Sequence, residues 1–169
     1  LNAGPNLKIT ALGDVFQDRL DSCNKKIQEE TQQVVPAENC FVGFDAFQKV
    51  IDSGVDIVIL ATPPHFRPMQ FEAAVAANKH VFMEKPVAVD PVGVKKVIEA
   101  AGQAKTKNLV VVTGTQRHHQ RQYVETYARV MSGAIGKIVG ARCYWDQSQL
   151  WYRERQPGWT DMEWMIRDW

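Results

Sequence analysis

The run Val81-Phe82-Met83-Glu84-Lys85-Pro86 ends an apolar stretch abruptly in an acid, a base and a proline, and Asp90-Pro91 opens a helical pattern four residues later. Reactive groups suit the point where a buried strand surfaces, because the backbone is rigid there and the side chain reaches solvent or ligand. Glu84 and Lys85 are therefore candidates for acid–base and hydrogen-bonding work. The other reading of this hexapeptide is an ordinary strand-end ion pair followed by a loop proline. Three more polar clusters follow apolar runs: Gly13-Asp14, Thr62-Pro63-Pro64-His65, and Thr115-Gln116-Arg117-His118.

The elements that must position these clusters are legible from periodicity. Leu7–Leu12 reads as a strand ending at Gly13-Asp14, and Phe16 to about Gln33 as an amphipathic helix with Leu20, Cys23 and Ile27 at helical spacing. Cys40-Phe41-Val42 reads as a short strand, and Asp45 as the cap of a short helix carrying Phe47, Val50 and Ile51 that stops at Ser53-Gly54. Val55–Ala61 is a nearly continuous β-branched run, which suits a strand buried on both faces of a parallel sheet. A helix from Met69 to Ala77, a strand from His80 to Met83, and a helix capped by Asp90 follow; that last helix runs to about Lys105 with Val94, Val97, Ile98 and Ala101 inward. Leu109–Val112 reads as a strand, and Gln120 to about Ser132 as a helix with Tyr123, Tyr127 and Val130 inward. This alternation predicts an α/β fold with a parallel, doubly wound sheet. Lys137–Tyr144 breaks the rhythm and reads as a longer strand opening a different sheet.

In such a sheet, ligands sit outside the carboxyl ends of the strands, where all four polar clusters would converge. Asp14 has two readings. As an acid ending the second strand of a dinucleotide fold, it would accept hydrogen bonds from the adenosine ribose and repel a 2′-phosphate, favouring NAD over NADP. As the residue before a helix, it would be an N-cap. The sequence carries no GxGxxG loop for the pyrophosphate. If Leu7–Leu12 is the second strand, that loop and the first strand lie upstream of Leu1. In the 3-2-1-4-5-6 order that strand is central, so the sheet should split into a two-strand and a three-strand piece.

Val55-Asp56-Ile57-Val58-Ile59-Leu60-Ala61-Thr62-Pro63 and then Ala77-Asn78-Lys79-His80-Val81-Phe82-Met83-Glu84-Lys85-Pro86 resemble, in order and spacing, the Gfo/Idh/MocA family of glucose–fructose oxidoreductase and inositol dehydrogenase relatives. The resemblance extends to about Tyr144. It implies a Rossmann-type NAD(P)-binding domain lacking its first strand over residues 1–118, and the start of an α+β substrate and oligomerisation domain over 119–169. By the same resemblance, Thr62 and Pro63 would pack near the nicotinamide ribose and Glu84 would bond it. Lys85 would stand between nicotinamide and substrate as a catalytic group. Gln116 and Arg117 would approach the nicotinamide or substrate. The family often reads Thr-Pro-Asn-x-x-His, whereas Thr62-Pro63-Pro64-His65-Phe66-Arg67 carries an arginine at the last position. A catalytic histidine would lie beyond Trp169. The implied activity is hydride transfer between a sugar or cyclitol hydroxyl and NAD, with NADP the less favoured cofactor. Two alternatives stay open: an NAD-retaining glycosidase that uses transient oxidation, and a non-catalytic cofactor-binding protein.

The composition is ordinary for a globular protein, at 45% hydrophobic and 23% charged residues, and the net charge of +1 leaves Arg117-His118-His119-Gln120-Arg121 a poor nucleic-acid motif. No window offers the roughly 20 apolar residues of a membrane span. His118-His119 lacks partners at ligand spacing, so no metal site is expected. Cys23, Cys40 and Cys143 form no CxxC and read as buried free thiols of a reducing, cytoplasmic compartment, with export through a leader upstream of Leu1 the other possibility. All five tryptophans fall in the last 25 residues with arginines interleaved. Trp145 and its neighbours suit stacking on sugar rings or a domain or oligomer surface, and a homo-oligomer through the C-terminal region is expected.

Overall fold

The computed structural model describes residue 4 and residues 6–169. The chain divides into two compact units, Leu1–Gly114 and Thr115–Trp169. In the first, strands β1 (Leu12–Asp14), β2 (Cys40–Val42), β3 (Ile57–Leu60), β4 (His80–Met83) and β5 (Val111–Thr113) alternate with helices α1 (Gln17–Thr31), α2 (Ala46–Asp52), α3 (Arg67–Ala76) and α4 (Pro91–Thr106). All strand pairs are parallel. They form a two-stranded sheet β1-β2 and a three-stranded sheet β3-β4-β5, the two pieces expected from the sequence.

β1 is shorter than Leu7–Leu12. Its ladder starts where Leu12 meets Cys40, because the preceding residues of the partner, Ala37–Asn39, are wound into a 3-10 turn. Residues 7–9 are tied instead to the Gln33 side chain, which accepts from Ile9 N at 3.0 Å and donates to Leu7 O at 3.3 Å. α1 buries a stripe through Leu20 and Ile27, 7 positions apart, and Cys23 falls on its exposed flank. The buried-thiol expectation thus fails: the three cysteines are free, but Cys23 and Cys143 are exposed and Cys40 is half-buried.

Phe71, Ala74 and Val75 of α3 are fully buried against Val58, Leu60, Val81 and Met83 of the three-stranded sheet. α4 packs on α3 through a face that shares Val97 with the predicted one but is rotated away from Val94, Ile98 and Ala101. Gly93, Val97, Ala100 and Ala104 point inward, whereas Val94 and Ile98 are exposed. A Cβ on Gly93 would stand 3.0 Å from both Ala88 Cβ and Pro68 Cγ. Small residues permit that close approach, so the spine of the contact selects glycine and alanine over the bulkier flank. On the opposite face of β3, Ile57 and Ile59 are 50% and 70% exposed. The expectation of burial on both faces is therefore wrong for β3, because α3 and its partner α4 lie on the same side of the strand as Val58 and Leu60.

Helix ends follow local chemistry. Asp90 accepts from Gly93 N at 2.6 Å and caps α4. Asp45 occupies the N-cap position of α2 without a side-chain cap bond, and pairs instead with Lys49 at 2.8 Å. Lys107 Nζ donates to Val75 O and Ala76 O, satisfying carbonyls at the end of α3.

In the second unit, a 3-10 turn (Gln116–His119) leads into α5 (Arg121–Met131), and α6 (Asp161–Arg167) closes the chain. α5 buries no residue, and Tyr123 and Tyr127, expected inward, are 47% and 67% exposed. Lys137–Tyr144 forms no strand. An extended segment needs a ladder partner to persist as one, and the described residues supply none.

Candidate functional site

The site of the first unit lies where β3 and β4 end. The last rung of their ladder is Glu84 N donating to Leu60 O at 2.9 Å. Beyond it the chains separate into two loops, one carrying Thr62-Pro63 and the other Glu84-Lys85-Pro86.

Thr62 on the first loop is held at both its hydroxyl and its carbonyl by side chains of α3. Thr62 Oγ1 donates to Gln70 Oε1 at 2.6 Å, and Thr62 O accepts from Arg67 Nη2 at 2.6 Å. Arg67 Nη1 donates to Pro86 O on the second loop. Both helix residues are buried, Arg67 at 4% exposure and Gln70 at 6%. Burial lowers the Arg67 pKa, and the negative charge of Glu84 opposes that shift. The Arg67 Nε has no hydrogen-bond partner among the described residues. An unmade buried bond of this kind costs about 1–3 kcal/mol.

Glu84 is seated by the absence of a side chain. Gly114 N donates to Met83 O at 2.8 Å, which brings the end of β5 against β4. A Cβ there would meet Glu84 Oε2 at 2.5 Å and Oε1 at 2.7 Å. Lys85 N donates to Glu84 Oε2 at 3.2 Å. The Lys85 side chain is exposed and makes no ion pair among the described residues, so the strand-end ion-pair reading of Glu84-Lys85 does not hold. His80 is structural: its Nδ1 accepts from Val110 N at 2.9 Å and extends the β4–β5 ladder.

Asp14 ends β1 on the other sheet. Its Oδ1 accepts from Phe16 N at 2.8 Å, while the N-cap of α1 is Phe16, without a side-chain cap bond. The carboxylate thus closes a local turn rather than capping the helix. Gly13, just before it, is packed under α2: a Cβ would lie 3.0 Å from Val50 Cγ2.

In the second unit, Gln116 and Arg117 lie in the 3-10 turn. Arg117 Nε donates to Tyr123 Oη at 2.9 Å, and its guanidinium stands 4.8 Å over the Trp145 ring. Trp145 Nε1 donates to Gln147 Oε1 at 2.5 Å. The structure therefore groups Thr62, Pro63, Glu84 and Lys85 in one unit and Arg117 with Trp145 in the other.

Sequence reasoning did not place Gln70, Gly114 or the guanidinium of Arg67 in this site. The signal present was two polar residues three apart on an otherwise apolar helix face. No group of three or more His, Cys, Asp or Glu side chains among the described residues is placed to hold a metal, and no helix among them is long and apolar enough to cross a membrane.

Parallel strands with acidic and hydroxyl groups at their carboxyl ends define a Rossmann-type nucleotide-binding domain. The chain belongs to the Gfo/Idh/MocA oxidoreductase family with an NAD-binding Rossmann fold, whose family model matches residues 1–123. It is 28% identical over 127 residues to the myo-inositol 2-dehydrogenase of Thermotoga maritima, covering 75% of this chain and 34% of that protein. Among solved structures it resembles the apo scyllo-inositol dehydrogenase from Lactobacillus casei, with a TM-score of 0.62 and 26% identity, over 76% of this chain and 35% of that one. The same enzyme with bound cofactor NAD(H) and scyllo-inositol matches with a TM-score of 0.60 and 25% identity, over 76% and 34% of the two chains. This chain spans about a third of the length of the curated relatives it matches.

The residues present suit the nucleoside ends of such a cofactor. Carboxylates such as those of Glu84 and Asp14 have the acceptor capacity that vicinal ribose hydroxyls require, and Gly114 leaves room for the Glu84 head group. No segment of the sequence offers the glycine-rich amide cradle for the pyrophosphate.

Proposed function

We propose that this chain supplies the cofactor-binding part, residues 1–118, and the start of the substrate part, residues 119–169, of an NAD-dependent dehydrogenase acting on a CH–OH group of a cyclitol or sugar. The observation that carries this reading is a seated acceptor beside an exposed cation: Glu84 rests over Gly114, and Lys85 next to it makes no ion pair among the described residues. The names of the matched relatives favour a cyclitol.

Bound NAD supplies a hydride acceptor. Glu84 accepts from the nicotinamide ribose, with Thr62 and Pro63 packed beside it. Lys85 donates to the reacting oxygen and stabilises the negative charge that builds there while a separate general base takes the hydroxyl proton and the hydride passes to the nicotinamide. Asp14 accepts from the adenosine ribose, and its charge disfavours a 2′-phosphate, which favours NAD over NADP. Gln116, Arg117 and Trp145 serve the nicotinamide or the sugar ring, in keeping with the stacked guanidinium–indole pair.

The test uses the intact protein as purified. Its bound nucleotide is released by denaturation and identified, and reduced nicotinamide is followed in the near ultraviolet on addition of inositols and aldoses. Exchangeable NAD with cyclitol-dependent NADH formation supports the proposal. Tightly held NAD without net NADH points to cofactor recycling, and absence of any nucleotide contradicts it.

A further inference from the structure

The two loops of the site lose their backbone connection at the Leu60–Glu84 rung. Past it, no backbone hydrogen bond joins residues 61–66 to residues 85–88 among the described residues. The planar fork of Arg67 fills that gap: one amino group reaches Thr62 O, the other Pro86 O. Gln70, one turn on, accepts from the Thr62 hydroxyl, and its side chain has no hydrogen bond to the second loop among the described residues. A residue recruited for stability alone would have no need to be a buried cation with an unpartnered Nε.

We infer that Arg67 is a positioning residue, a strap that sets the spacing between the Thr62-Pro63 loop and the Glu84-Lys85-Pro86 loop so that both meet one ribose at once. Groups on separate loops bind one ligand well only when their ordering is settled beforehand, and a bidentate guanidinium does this where a single donor cannot. The inference rests on the proposed cofactor site for its consequence, but not for its geometry.

Two measurements separate these. Hydrogen exchange of the cofactor-free protein comes first. Arg67→Met is expected to speed exchange about tenfold or more in peptides covering both loops, with α4 unchanged, whereas Gln70→Leu speeds only residues 61–66. Acceleration of one loop alone in Arg67→Met, or a uniform rise along the chain, overturns the strap. If Arg67→Met does not fold, Arg67→Lys, which keeps the charge but not the fork, shows the same two-loop pattern at smaller amplitude; a wild-type profile overturns the inference.

Titration with NADH and with ADP follows. NADH affinity falls about tenfold in Arg67→Met while ADP affinity stays within about twofold, with partial recovery in Arg67→Lys. Equal losses for both ligands overturn the positioning role. Failure of the unsubstituted protein to bind either ligand defeats the proposed function, and exchange then decides on the strap by itself.

Discussion

The carboxylate of Glu84 occupies the space that a side chain on Gly114 would fill, with all three carboxylate atoms 2.5–2.7 Å from the missing Cβ. The glycine is thus required by a close approach. Gly114→Ala must swing the Glu84 head group aside. Because that group is the flexible end of a side chain, the stability cost should stay at or below about 1–3 kcal/mol. NADH affinity should fall about tenfold. A thermal melt and an NADH titration check this; unchanged affinity would show that Glu84 does not bind from its observed seat.

Asp90 caps α4 through Gly93 N, where α4 comes close to Pro68 of α3. Asp90→Ala should cost about 1 kcal/mol and lower the melting temperature by a few degrees, with Asp90→Asn restoring most of it. Equal melts for the aspartate and alanine forms would count against the cap.

Cys40 gives a pH signature. Burial first, then the charges of Asp21 and Glu38 and the Cys23 thiol, raise its pKa above the ordinary 9.0. The folded state therefore holds this proton more tightly than the unfolded chain. The resulting stability is whole below pH 9.0 and is lost as pH rises through the folded-state value. Cys40→Ser should flatten the alkaline limb of a melting-temperature profile taken from about pH 8 to about pH 10. Parallel profiles would refute the assignment.

Asp14 is expected to govern cofactor choice. Asp14→Ser should shift the NAD-to-NADP preference at least about tenfold toward NADP, read as the ratio of dissociation constants. A ratio that does not move would return Asp14 to its local turn with Phe16 N.

Much of this was legible in the sequence because strand runs and helix caps are local. Cys40–Val42 and His80–Met83 are strands at the expected bounds, and Asp90 caps as read. What escaped depended on partners. The face of α4 turned toward α3 because Gly93, Ala100 and Ala104 allow close packing, a preference that hydrophobic periodicity does not encode. Lys137–Tyr144 has strand-like composition but no ladder to join among the described residues. Lys85 and Glu84 stood out as a motif, whereas Gly114 and Arg67 serve them across long sequence separations that no local pattern announces.

In the proposed function, labour divides at the end of β4, with Glu84 holding cofactor and Lys85 acting on substrate. The most direct measurement compares Lys85→Ala and Glu84→Gln in the intact protein for NADH affinity and for turnover with a cyclitol. Lys85→Ala should lose about 10²–10⁴-fold in turnover with cofactor affinity nearly unchanged. Glu84→Gln should weaken NADH binding roughly ten- to a hundredfold. Turnover preserved in Lys85→Ala, or cofactor lost equally in both variants, would contradict the account.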